Sequence, residues 1–131
     1  MEGRQKTTWI IYLALFASIG IYFGITFFVP VQGQMEAEQL EMMEYILLGM
    51  GFISTIMSFV LPKILAGAAQ QAADPWGPYF TRKVLSWALS ESIAIYGLVL
   101  YFMAGDHQTM AIFVVWAGVL MAVHSPRDIP S

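Results

Sequence analysis

This sequence predicts an all-α membrane bundle of four transmembrane helices, and three observations carry that prediction. Apolar residues make up 58% of the chain and charged ones 11%, with a mean hydropathy of +0.65. The apolar residues are gathered into continuous runs, and runs of about 18 or more are long enough to cross a bilayer as a helix. The Lys and Arg residues fall before the first run, at the end of the second or between it and the third, and after the fourth. A chain that threads back and forth across a membrane distributes its cations in this way. The 131 residues fit one domain, 1–131.

The first span runs from Trp9 to about Val31. Arg4 and Lys6 precede it as they would a signal peptide. Its apolar run, however, exceeds the roughly 7–15 residues of a signal core, and no small-residue cleavage pattern follows Pro30, so it reads as a retained anchor helix. The second span runs from Tyr45 to Leu65, the third from Val84 to Ala104 and the fourth from Met110 to Val123. The fourth is short for a hydrocarbon core of about 30 Å. Trp9, Tyr45, Trp76, Tyr79 and Tyr101 stand near span boundaries, where amphipathic rings anchor at the interface.

Orientation follows from the charges. Arg4, Lys6, Lys63, Arg82, Lys83 and Arg127 mark one side; Glu36, Glu38, Glu41 and Glu44, then Asp106 and His107, mark the other. The positive-inside rule puts both termini and the 66–83 connection in the cytoplasm. The expected location is an integral membrane, bacterial inner or otherwise energy-transducing.

Small residues indicate which helices meet. Ser86, Ser90, Ala94 and Gly97 line one face of span three, and Gly51, Ser54 or Thr55, and Ser58 do the same in span two. Lipid gives helices little hydrophobic reason to associate, so close approach and hydroxyl hydrogen bonds must supply it. Spans two and three are therefore expected to form a central antiparallel hairpin.

One carboxylate, Glu91, stands inside the apolar run of span three. An ionisable group at bilayer depth costs roughly 2.5–3.5 kcal/mol on insertion scales, so it is seldom left there without partner or purpose. Counting outward from the cytoplasmic connection sets Glu91 level with Met57, which brings Ser58 or Ser54 within reach; in span one the same count lands near Ala17 and Ser18. Two roles fit: handling an ion or proton, or a hydrogen bond that ties helices together. There is also a faint internal repeat. Ser18-Ile19-Gly20-Ile21-Tyr22 in span one matches Ser92-Ile93-Ala94-Ile95-Tyr96 in span three, with Ala17 in the place of Glu91.

The stretch Ser90-Glu91-Ser92-Ile93-Ala94-Ile95-Tyr96-Gly97 resembles the carboxylate helix of the rotor-ring (c, or proteolipid) subunits of rotary ATP synthases. In that family a Glu is followed by a small residue and, five and six positions on, by Tyr and Gly. Lys63 through Gln71 and Asp74-Pro75 are similar to the end of the family's first helix and its loop, so the resemblance covers about residues 49–105. Gln70-Gln71 lacks the family's loop Arg, only Gly49 and Gly51 stand where the family carries a glycine stripe, and two further spans flank the hairpin. The resemblance implies that Glu91 carries a proton, with Ser92 and Tyr96 lining the site; the depth count adds Ser58 or Ser54 as hydrogen-bond partners of its neutral form. It implies a divergent proteolipid-like subunit of a larger complex. A non-catalytic accessory or scaffold subunit is the alternative.

Other chemistry finds little footing. With no Cys there is neither a disulfide nor a thiolate metal site. His107 and His124 belong to opposite predicted sides and cannot share a metal ion, so no metal or cofactor is expected. A net charge of −3 gives no nucleic-acid footprint. The acids from Glu36 to Glu44 read as a solvated helix entry, and the nine Met residues as core and lipid-facing filler. No phosphate loop and no nucleophile with its base occur, so no enzyme is expected. The expected partners are the lipid bilayer and other membrane subunits, further copies of this chain included.

Overall fold

A computed structural model describes residues 2–29, 36–69 and 76–127, and places them in four helices: α1 (Glu2–Phe28), α2 (Ala37–Ala69), α3 (Trp76–Ala104) and α4 (His107–Val123). The helices outrun the apolar spans that announce them, because a helix need not stop where the hydrocarbon does. α2 takes in Glu38, Glu41 and Glu44 ahead of Tyr45, and acids in a first turn are favourable to the helix dipole. It also continues through Pro62 to Ala69, as membrane helices do when neighbours satisfy the freed backbone groups. Pro30 and Val31, expected to end the first span, lie outside the described residues.

The turn between α3 and α4 is legible residue by residue. Gly105 adopts φ 71°, the left-handed conformation that glycine reaches without steric cost, and its N–H donates to the Tyr101 carbonyl at 2.7 Å. Asp106 then caps α4, accepting from the Gln108 N–H at 3.0 Å and from the Thr109 hydroxyl at 2.8 Å.

Contacts between helices fix their directions. Ser86 of α3 donates to the Ser58 carbonyl of α2 at 3.0 Å, while Ser92 and Tyr96 meet Ser54, so rising numbers on α3 pair with falling numbers on α2. The Tyr12 ring lies 5.3 Å from that of Trp87 and Tyr101 donates to the Thr26 carbonyl, so α1 and α3 rise together. Tyr12 also donates to the Met121 carbonyl and His107 meets that of Thr26, so α4 runs against α1. α3 is the hub. Its apolar window is 44% buried, against 17% for α1 and 22% for α2. Trp87, Ile93, Ala94, Phe113 and Ala117 form its dry centre.

The outer surface is apolar. Ile21, Phe52, Ile53 and Val115 each leave more than half their surface uncovered. In water that would be an aggregation liability; in lipid it is the required exterior. Three helices, over 3–28, 37–66 and 76–104, are long and apolar enough to cross a membrane. The protein is membrane-embedded. α4 has 17 residues, about 26 Å at ~1.5 Å per residue, and is apolar but shorter than those three.

Charge is sorted between the two ends of the bundle. At one end Arg4 lies over the Trp76 ring at 5.2 Å, Lys83 reaches the Ser125 carbonyl, and Lys63 and Arg82 share a cavity with His124. The acids of α2 stand at its opposite end, and Asp106 opens α4 there too.

Candidate functional site around Glu91

Each residue of α3 turns about 100° from the last, and this decides which neighbours Glu91 can have. Ser86, Ser90, Ile93, Ala94, Gly97 and Tyr101 are buried and mark the inward face. Ala88, Ile95 and Phe102 are exposed and mark the outward one. Glu91 lies on the border between them, half-buried, on the flank that faces α1. There the Tyr22 hydroxyl donates to Glu91 Oε1 at 2.5 Å. The bond ties α1 to α3 across 69 residues of chain.

Ser92 and Tyr96 fall on the other flank, one and five residues on, and face α2. Tyr96 Oη and Ser54 Oγ are 3.3 Å apart; Ser92 Oγ lies 3.4 Å from Ser54 Oγ and donates to the Leu89 carbonyl at 2.6 Å. The residues expected to surround one carboxyl thus divide into two groups. Ser54, Ser92 and Tyr96 meet one another, and Glu91 meets Tyr22. The physical reason is the helix period: Tyr96 is turned some 140° away from Glu91, so α3 itself stands between them.

Ser58 belongs to a third group. Its hydroxyl donates to the Thr55 carbonyl at 2.7 Å and lies 3.1 Å from His124 Nε2, with the His124 carbonyl accepting from Trp87 Nε1 at 2.8 Å. Burial, helped by the Lys83 charge, pushes the His124 pKa below its usual 6.5. His107, at the other end, sits 2.9 Å from the Thr26 carbonyl and stacks on Phe27.

The small residues expected to close the α2–α3 hairpin divide as well. Ser86 does bond α2, and Ser90 bonds back to the Ser86 carbonyl. Gly97 instead makes room for α4: a Cβ there would lie 2.5 Å from Phe113 Cβ. Gly51 does the same for the Trp116 ring, 2.6 Å from where its Cβ would be, and Trp116 Nε1 donates to Thr55 Oγ1 at 3.1 Å. Gly97 thus serves the packing of α4 on α3, while Gly51 admits the one ring, Trp116, that α4 extends to α2 there. Ala94 is fully buried in the core.

Tyr22 is the site residue that sequence reasoning passed over. Its signal was present in the repeat, where Tyr22 is the counterpart of Tyr96. Counting depth pointed instead to Ala17 and Ser18, about one turn short, because it ignored the reach of a phenol. Gln70, Gln71, Asp74 and Pro75, which carry the loop part of the rotor-ring resemblance, lie outside the described residues. No family model, no curated protein and no solved structure matches this chain.

Proposed function

We propose that this protein is a small, non-enzymatic, proteolipid-like subunit of a membrane complex in which Glu91 takes up and releases a proton. The observation that carries the reading is the position of Glu91: on the border of the lipid-facing strip of a membrane-crossing helix, held by one hydroxyl from Tyr22. A carrier needs a carboxyl that a passing subunit or water file can reach, together with a donor that can let go. A half-buried acid with one phenol partner among the described residues has both properties. Ionisable groups inside membranes mark ion and proton pathways by default. The resemblance of residues 90–97 to the rotor-ring carboxylate helix supports the same reading, with Tyr22 in the lining role and Ser54, Ser92 and Tyr96 holding α2 to α3. We place both termini and the cationic end of the bundle in the cytoplasm, on the positive-inside rule, of a bacterial inner or other energy-transducing membrane.

The second reading is a scaffold subunit, favoured by the fact that the Tyr22–Glu91 bond joins α1 to α3. Glu91→Gln separates the two. The amide keeps its volume and still accepts from Tyr22, but releases no proton. In the complex reconstituted in vesicles, Glu91→Gln abolishes proton flux if Glu91 is the carrier and spares it if the residue only ties helices. Full flux in a folded Glu91→Gln protein refutes the proposal. A carrier must also pass through the neutral acid, the form that lipid-soluble carbodiimides attack, so labelling should fall on Glu91 and disappear in the Gln variant.

A further inference from the structure

His124 caps the end of α4, apart from the Glu91 site, and α2, α3 and α4 meet on it. Its Nε2 lies 3.1 Å from the Ser58 hydroxyl and its ring 4.6 Å from that of Phe59, both on α2. Its carbonyl accepts from the Trp87 indole of α3 at 2.8 Å, and its own N–H donates to the Leu120 carbonyl of α4 at 3.1 Å. The residue is 8% exposed. A proton can still reach the ring, because His124 lines a cavity of about 240 Å³ at the cationic end of the bundle, room for several waters at about 30 Å³ each.

The hydrogen bonds fix the state of the ring. Ser58 has one hydroxyl proton, and the Thr55 carbonyl takes it at 2.7 Å. Ser58 Oγ can therefore only accept from His124, so Nε2 carries the proton and Nδ1 is the bare nitrogen. Nδ1 has no hydrogen-bond partner among the described residues. A proton added there makes an imidazolium whose new N–H meets no acceptor, inside a site where burial disfavours the charge and Lys83 adds to the penalty. The other groups that face the ring do not relieve it. α2 brings Lys63; α3 brings Tyr79, Arg82 and Lys83, the last reaching the Ser125 carbonyl at 3.4 Å; Arg127 follows on the chain, bonded to the Ser125 hydroxyl. α1 brings Tyr12, which holds the Met121 carbonyl. None of these is a carboxylate.

We propose that His124 is a pH-sensitive latch: the neutral ring ties the end of α4 to α2, and protonation frees that end while the rest of the bundle stays packed. Protonation of a buried histidine at an interface is a recurrent way to bias such a two-state contact. α4 keeps its hold elsewhere, through Phe113 and Ala117 in the core and through Trp116, whose Nε1 donates to Thr55 Oγ1. The latch owes nothing to Glu91 and stands whether or not that residue carries a proton. With the end released, the ring titrates near its ordinary 6.5; with it docked, the ring titrates lower. The docked form is therefore complete above pH 6.5, and the released-to-docked ratio rises by up to about tenfold for each pH unit between the two values.

Two indole protons distinguish release of the end from loosening of the whole helix: that of Trp87, bound to the His124 carbonyl, and that of Trp116, bound to Thr55. The purified full chain, labelled with nitrogen-15 in uncharged detergent micelles, is followed by NMR at pH 7.5 and pH 5. Exchange of each indole proton with water is expressed against free indole at the same pH, so that the ratio reads opening alone. Protection of Trp87 should fall at least about fivefold at pH 5, within the tenfold per pH unit that linkage allows, and that of Trp116 should hold. His124→Gln keeps a side-chain N–H for Ser58 but cannot titrate, so its Trp87 protection should be the same at both pH values. The proposal is overturned if acid leaves Trp87 protection unchanged in the wild type, if His124→Gln loses it equally, or if Trp116 loses protection alongside Trp87. Should His124→Gln fail to fold by circular dichroism, the imidazole resonances of the wild type decide: the midpoint of His124 titration should coincide with that of Trp87 opening, and a separation of more than about one pH unit overturns the latch.

Discussion

Gly97→Ala is a one-methyl change whose outcome the structure decides. In a helix interior, Ala is favoured over Gly by about 1 kcal/mol, so propensity alone predicts a gain. The new Cβ, however, would stand 2.5 Å from Phe113 Cβ, with Met110 Sδ and Phe113 Cγ each at 3.1 Å. Carbon atoms prefer about 3.5–4.0 Å, so α3 and α4 must separate by roughly 1 Å. Phe113 Cβ is bonded to the α4 backbone and has no rotamer that moves it aside. Overpacking a filled core costs about 1–3 kcal/mol. Set against the propensity gain, the net is a destabilisation of up to about 2 kcal/mol, with a loosened α4. Gly118→Ala is the internal control, since nothing lies within 4 Å of its added Cβ; it should be neutral or slightly stabilising. Unfolding of both variants in mixed micelles of increasing denaturing-detergent content, followed by tryptophan fluorescence, gives the comparison. A Gly97→Ala protein as stable as Gly118→Ala would refute the close α3–α4 packing.

Further outcomes follow from the same contacts. Tyr22→Phe removes the hydroxyl that, among the described residues, Glu91 accepts from, and should cost about 0.6 kcal/mol, the average for interhelical hydrogen bonds in membranes, while leaving the Ser54 and Tyr96 group intact; an effect equal to that of Tyr96→Phe on α2–α3 packing would contradict the division into separate groups. Cysteines introduced as Gln39→Cys and Thr81→Cys, both exposed, should react with impermeant reagents from opposite sides of the membrane, Thr81→Cys from the cytoplasmic side; equal labelling from one side would exclude the proposed orientation. His124 provides a pH dependence. Its folded pKa lies below the 6.5 of the unfolded chain, so as pH falls through 6.5 the unfolded state takes up the proton first and stability declines, whereas above that pH both states are neutral and the contribution is complete. Thermal unfolding at pH 5 and 7.5 measures it, and His124→Gln should flatten the difference; an unchanged slope would assign it to other groups.

Composition by itself determined that this is a helical membrane protein, because in lipid the backbone must satisfy its own hydrogen bonds and only long apolar helices or closed barrels do so. The positions of Lys and Arg likewise anticipated which helix ends gather together, since Arg4, Lys63, Arg82 and Lys83 lie at one end of the bundle. Gly105 and Asp106 mark the α3–α4 turn in plain local chemistry. Glu91 could be singled out because one charge in an apolar run is a local fact, visible without any neighbour.

The partners of Glu91 were a tertiary matter. A stripe of small residues shows that something approaches closely, but not which helix, and so Gly51 and Gly97 turned out to admit Trp116 and Phe113 of α4. Adjacency along the chain put Ser92 and Tyr96 beside Glu91, whereas 100° of rotation per residue sends them toward α2 and leaves the carboxyl facing α1. Which helix occupies that side depends on the packing of all four together, and only the assembled bundle could bring Tyr22, 69 residues away, to the carboxylate. The cavity at the cationic end arises in the same way: Lys63, Arg82 and His124 sit on three different elements, and their convergence exists only where α2, α3 and α4 end side by side.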